Sequence, residues 1–262
     1  MTQGYFRLSG YWRYFQIEPT QGRNTFHHGT DFADVYSMYL LDAELRNLLL
    51  EGLAEVEIAL RASLTANLCV PGGFGTEYQE TSTYGPAVGD DGKPLREGLL
   101  ASVKDDVDRS KERHVRHHRN TGTVPLWVAT EALSFGTVSR MYGLLADEKV
   151  MTSVAKRFGY VDGLTNSMRS NLRSVAVFRN VCAHHGRVWN RVIHTDKPRL
   201  FGGAFPGESN FRAYHDTPWG VISVLGHLVR NVRGDDSFMK AVTSLAQQDS
   251  EYFTGLKSPS RI

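Results

Sequence analysis

The stretch from Thr30 to Cys69, TDFADVYSMYLLDAELRNLLLEGLAEVEIALRASLTANLC, decides the fold class. Its apolar residues Phe32, Val35, Tyr36, Tyr39, Leu40, Leu45, Leu48, Leu49, Leu53, Val56, Leu60, Leu64 and Leu68 recur in steps of three and four, the period of one helix face and of no strand. Thr30 or Asp31 is placed to cap the start, because a short side-chain oxygen there accepts from a free N–H of the first turn. Pro71 ends the segment. One long helix is predicted, or two in line. Asp42 and Arg46 sit four apart, as do Glu57 and Arg61, so each pair can meet across one turn as an ion pair.

Outward from that helix the chain remains helical. Turn dipeptides at Pro71-Gly72, Gly85-Pro86 and Asp91-Gly92 mark 71–98 as an exposed, Gly-rich inserted loop. It holds neither a Gly-x-Gly-x-x-Gly nor a Gly-Lys-Ser/Thr phosphate loop. Helical patterns follow over Leu99–His118, over Leu126–Ala146 with Pro125 at its start and Gly136 and Gly143 inside, and over Asp147–Phe158. A motif-bearing helix is expected over 164–192. After a loop from Phe201 to Pro218, closing helices are expected over 218–247, and the tail from Gly255 to Ile262 is expected to fray. The whole chain, 1–262, therefore reads as a single mainly α domain.

Composition excludes several classes. With 41% hydrophobic and 22% charged residues in 262, the chain can bury a sizeable core. No apolar run approaches the roughly 20 residues that span a bilayer, so no membrane is expected. Met1–Phe15 interleaves Arg7, Ser9, Gly10 and Arg13 with aromatics and lacks the apolar core of a secretory signal, so a cytoplasmic protein is expected. Two cysteines, Cys69 and Cys182, are too few for a disulfide framework or a four-thiolate zinc site, and each reads as a small buried residue. Charge is unevenly distributed. From Lys156 to Arg199 nine cations face two carboxylates, a net +7 in a chain whose total is +2, so the remainder carries −5. A basic segment in a mildly acidic chain suits a polyanion such as RNA, and also suits a solvated helix face.

The chemistry concentrates inside that segment. Val175, Phe178, Val181, Val188 and Val192 form an apolar stripe, while Asn180, His184, Arg187 and Arg191 follow at helical spacing on another face. Arg179 precedes His184 by five residues. Arginine offers planar donors to phosphate, and histidine suits proton transfer near neutral pH. Metal-free RNA cleavage needs a base for the 2′-hydroxyl, an acid for the leaving 5′-oxygen and a cation for the phosphate in flight. One histidine fills one proton role at a time, so a homodimer joining two copies of this helix is a natural arrangement. On the residues alone, histidines satisfied by buried hydrogen bonds between helices remain the competing reading.

The run Leu172 to Arg191, LRSVAVFRNVCAHHGRVWNR, strongly resembles the signature of the Abi-like family, the AbiD and AbiF type of bacterial abortive-infection proteins. Tyr5 to Trp12, YFRLSGYW, is similar to the family's opening block, Phe32–Arg61 to its long helical block, and Pro125-Leu126-Trp127 with Glu131, Leu133, Ser134, Phe135 and Gly136 to its central motif. The resemblance implies a helical bundle related to the HEPN superfamily, whose active members are metal-independent endoribonucleases built on Arg-x(4 to 6)-His. Arg179 and His184 match that motif, and Asn180 matches the polar residue after the arginine. It further implies action on cellular or phage RNA in phage defence or as a toxin, sometimes with a structured non-coding RNA, and no cofactor. His185, Arg187, Asn190, Arg191 and Arg173 are the expected RNA contacts. The family's helical stretch before the opening block is expected to be missing here.

Other clusters read more plainly. His114, His117 and His118 lie beside Arg113, Arg116 and Arg119 on a helix; His114 and His118 have metal-ligand spacing but no acidic or thiolate partner, so no metal is expected. His184-His185 diverge as neighbours on a helix, and Cys182 lies off the His184 face, which argues against a metal pair and a thiol nucleophile. Tyr5, Phe6, Tyr11, Trp12, Tyr14 and Phe15 could stack on bases, but packing against the long helices is favoured, as it is for Trp127 and Trp189. The alternative function is a non-catalytic RNA-binding or regulatory module.

Overall fold

The computed structural model describes residues 4–69, 71–161 and 163–260. The chain opens with α1 (Tyr5–Trp12) and a short antiparallel hairpin, β1 (Gln16–Glu18) and β2 (Arg23–Phe26), which periodicity did not show. Then comes α2 (Phe32–Leu68), a single helix of 37 residues, about 55 Å long at 1.5 Å per residue. Asp31 is its cap: the carboxylate accepts from Ala33 N–H while the Asp34 side chain accepts from Asp31 N–H, closing a reciprocal box.

The remaining helices gather round α2. They are α3 (Leu95–Arg109), α4 (Arg113–Asn120), α5 (Leu126–Ala129), α6 (Phe135–Leu144), α7 (Glu148–Arg157), α8 (Thr165–Ala183), α9 (Pro218–Arg233), α10 (Ser237–Ala246) and α11 (Ser250–Lys257). The bundle is mainly α, as its periodicity predicts. Leu45, Leu49, Leu53, Val56, Leu60 and Leu64 of α2 are buried against α6 to α10. Phe32, Tyr36 and Leu40, in the first turns, stay exposed, while Val35 and Tyr39 of the same turns are buried, so the stripe is covered on one side only before Leu45. From Pro218 to Val229 every residue of α9 is buried, as expected of a helix that is apolar all round. Far from merely closing the fold, it forms the second core helix. Gly52 permits its close approach: a Cβ there would meet Phe238 at 2.6 Å and Val229 at 3.0 Å.

Several expected boundaries move. The pattern over Leu99–His118 is two helices, broken where Ser110 and Glu112 are extended. The pattern over Leu126–Ala146 divides at Ser134, whose hydroxyl accepts from Thr137 N–H and restarts the helix as α6. Residues 71–94 carry no α-helix, yet they are not a free insertion. Tyr78 and Tyr84 are buried, Tyr78 donates to the Val124 carbonyl at 2.9 Å, and Gly85 N–H donates to the Leu144 carbonyl at 2.7 Å. At the C-terminus helix α11 replaces the expected fraying: Tyr252 and Leu256 are fully buried, and Ser260 N–H reaches Asn190 Oδ1 at 2.9 Å. Arg261 and Ile262 lie outside the described residues.

Candidate active site

Helix α8 presents Arg169, Arg173, Val177 and Asn180 to solvent in steps of four, four and three, while Met168, Leu172, Val175, Phe178 and Cys182 face the core. It ends at Ala183, nine residues short of the motif helix expected over 164–192. The cause is local. His185 takes φ +55°, its N–H returns to the Cys182 carbonyl at 3.0 Å, and Gly186 N–H returns to the Val181 carbonyl at 2.8 Å. This pair of bonds satisfies the last carbonyls and stops the helix. A Cβ on Gly186 would crowd Val181, at 3.1 Å from its side chain and its carbonyl oxygen. The His185-Gly186 step was the sequence signal for this stop. The basic stripe is therefore discontinuous: Arg173 and Asn180 lie on α8, His184 caps it, and Arg187 and Arg191 lie beyond it.

The segment after α8 is held by a buried carboxylate. Asp42 Oδ1 accepts from Trp189 N–H at 2.8 Å and the Tyr252 hydroxyl at 3.0 Å. Its Oδ2 accepts from the Tyr11 hydroxyl at 2.5 Å, Arg46 Nη1 at 2.5 Å and Val188 N–H at 3.0 Å. One side chain thus ties α1, α2, α11 and residues 188–189 together. Burial, and after it the Asp42 charge, pushes the Tyr11 and Tyr252 hydroxyls well up, so both stay neutral donors. Trp189 is fully buried above this node, and a Cβ on Gly255 would lie 2.2 Å from its Nε1. Trp127, also expected in the core, stays 48% exposed.

The expected site residues divide into two groups. Asn180, His184 and His185 are exposed, and among the described residues neither imidazole has a hydrogen-bond or ion-pair partner. The Arg179 side chain is 41% exposed, with Nε 3.9 Å from Glu57 Oε2 on α2. Glu57 also holds Arg61, whose Nη2 donates to the Leu133 carbonyl at 2.8 Å. The sequence spacing showed the Glu57–Arg61 pair but not Arg179 as its neighbour. Arg173 is exposed and paired with Asp196. By contrast, Arg187 Nη1 donates to the Trp189 and Asn190 carbonyls at 2.8 and 3.1 Å, and its guanidinium lies over the Tyr14 ring. Asn190 is buried at φ +51°, and Arg191 donates to the Arg187 carbonyl at 3.2 Å. Burial, with Arg187 nearby, lowers the Arg191 pKa. Cys182 is buried and its thiol is pushed up to about 12 by desolvation, which denies it a nucleophilic role at neutral pH.

The family model described as Abi-like protein matches residues 1–190. The chain belongs to the Abi-like protein family. Membership places an abortive-infection type of function on it at the level of the family. The matched region covers α1 to α8 and the Asp42-bound turn, whereas α9 to α11 lie beyond it. No curated protein and no solved structure matched the chain. Among the described residues no cluster of three His, Cys, Asp or Glu side chains is placed to hold a metal ion. No described helix is long and apolar enough to cross a membrane.

Proposed function

We propose that this Abi-like protein is a metal-independent endoribonuclease of HEPN type, acting on cellular or phage RNA in the cytoplasm. One observation carries the reading: the His184 imidazole stands exposed and unpartnered at the end of α8, with half-exposed Arg179 five residues before it. In the proposed step His184 takes the proton of a ribose 2′-hydroxyl, whose oxygen attacks the adjacent phosphorus. The P–O5′ bond breaks, a second acid protonates the leaving oxygen, and Arg179 stabilises the phosphate between them. The products carry a 2′,3′-cyclic phosphate and a 5′-hydroxyl. His184 of a two-fold related copy supplies the second proton role, which makes a homodimer the working unit. Asn180 is a further polar contact, and His185 and Arg173 are available to the strand. Arg187, Asn190 and Arg191 act through the loop they hold, because their polar groups are engaged with it.

A second reading has its own support: Glu57 already faces Arg179, which occupies the guanidinium that catalysis requires and leaves RNA contact to the other exposed cations, as in a module that binds without cutting. Expression in a bacterial host separates them. Catalysis predicts growth arrest by the wild-type protein that is lost in His184→Ala and Arg179→Ala, with salt-sensitive RNA binding kept in His184→Ala. An unchanged phenotype in both variants supports the binding module.

A further inference from the structure

Beside the motif lies a groove of about 700 Å³ formed by α3, α6 and α8 and the loop before α3, within the range of roughly 300–1,000 Å³ typical of small-ligand sites. Asn180 lines its end nearest the motif, so the groove continues the exposed face of α8. Leu95, Leu144, Ala176 and Val177 are among its apolar lining, with Leu95 and Val177 each 42% exposed. Four cations line it. Arg173 is paired with Asp196, and Lys93 lies 3.6 Å from Asp91. Arg140 and Arg169 have no carboxylate within ion-pair distance among the described residues, which leaves two free guanidiniums against Glu97.

Arg140 feels Arg173, its neighbour across α6 and α8, while Arg169 lies against Gly143. Burial, joined by the like charge of Arg173, lowers the Arg140 pKa even with Asp106 acting the other way. The Arg169 stem lies along α6 where Gly143 leaves space, since a Cβ there would come within 3.3 Å of Arg169 Cγ. Two forked donors in a groove that also exposes Leu95 and Val177 match a phosphate joined to an aromatic base.

We propose that this groove holds a nucleotide, its phosphate on Arg140 and Arg169 and its base against Leu95 and Val177. Resting on the ribonuclease reading, its source is one unit of the RNA strand that passes His184. The groove then reads a nucleotide a few units away from the cut, since Arg169 lies roughly 22 Å of helix before His184.

The test uses the full chain carrying His184→Ala, so that RNA stays intact, and measures binding of a single-stranded pentanucleotide and of a nucleoside monophosphate by fluorescence anisotropy and competition. Arg140→Ala and Arg169→Ala alter exposed side chains, and circular dichroism confirms their folding. Each is expected to weaken the pentanucleotide about tenfold, the loss of one charge-assisted contact, and to reduce the salt slope by roughly 0.7. Arg169→Lys is expected to recover only part of the loss. Weakening of the monophosphate alone assigns the groove to a free nucleotide. Unchanged binding of both probes, or no binding of either, overturns the proposal. Wild-type cleavage is scored separately: no cleavage with the groove effect intact removes the ribonuclease reading and leaves the groove. Cleavage with unaltered binding in the groove variants does the reverse.

Discussion

Asp42→Asn is the most informative single change for the account of the fold. Asp42 is fully buried and accepts five hydrogen bonds, at 2.5 to 3.0 Å, from Tyr11, Arg46, Val188, Trp189 and Tyr252. An amide in its place has one acceptor oxygen, so whichever way it turns, an NH2 group faces at least one backbone N–H that cannot rotate away. The Arg46 guanidinium, 3% exposed, also loses its carboxylate. Its Nε already has no partner, and the Gly186 carbonyl at 3.5 Å is a weak substitute. Removing one partner of a buried pair costs about 3–5 kcal/mol. For a chain of this size that corresponds to a Tm lower by roughly 6–20 °C. Urea unfolding and a thermal scan by circular dichroism read both quantities. A loss under about 0.5 kcal/mol, the range of an ordinary surface change, refutes the view that Asp42 anchors the loop after α8.

Three further outcomes are expected. Gly255→Ala, which drives a Cβ into Trp189 at 2.2 Å, should destabilise by about 1–3 kcal/mol in urea unfolding; an unchanged midpoint contradicts the tight α11 packing. His185→Gly should leave stability unchanged or raise it by about 1 kcal/mol, because φ +55° is strained for histidine, and a clear loss argues against this helix stop. Burial holds the His227 imidazole below its ordinary value, so between its folded and unfolded pKa values the unfolded chain binds more protons. That stability is full above the unfolded value of about 6.5 and is lost as pH falls through the lowered folded value. Stability measured from pH 8 down to pH 5 should therefore decline less in His227→Gln than in wild type, and parallel curves reject the assignment.

Much of this architecture was legible because it is local. Thr30 or Asp31 announced the start of α2, and steps of three and four from Leu45 to Leu64 its buried face. The ion-pair spacings at Asp42–Arg46 and Glu57–Arg61 were equally visible. What the spacing could not carry was partners far along the chain. Asp42 meets Val188, Trp189 and Tyr252, and Glu57 meets Arg179, only through tertiary packing. The end of α8 was misplaced for a different reason. The apolar positions Val188 and Val192 mimic a continuing helix, yet Val188 is buried in a loop pinned to Asp42, Val192 is only half-buried, and His185-Gly186 overrides the period. Helix α11 escaped because its Tyr252, Gly255 and Leu256 are buried by long-range packing against Trp189 and Asp42 rather than by a strong stripe of their own.

The central proposal is that Arg179 and His184 cut RNA without a metal. The direct measurement incubates purified protein with mixed single-stranded RNA in EDTA, beside His184→Ala and Arg179→Ala, and determines the chemistry of the product ends. Metal-free catalysis by Arg179 and His184 predicts EDTA-resistant cleavage leaving a 2′,3′-cyclic phosphate and a 5′-hydroxyl, abolished in both variants. Cleavage that persists in His184→Ala, or that EDTA removes, contradicts it.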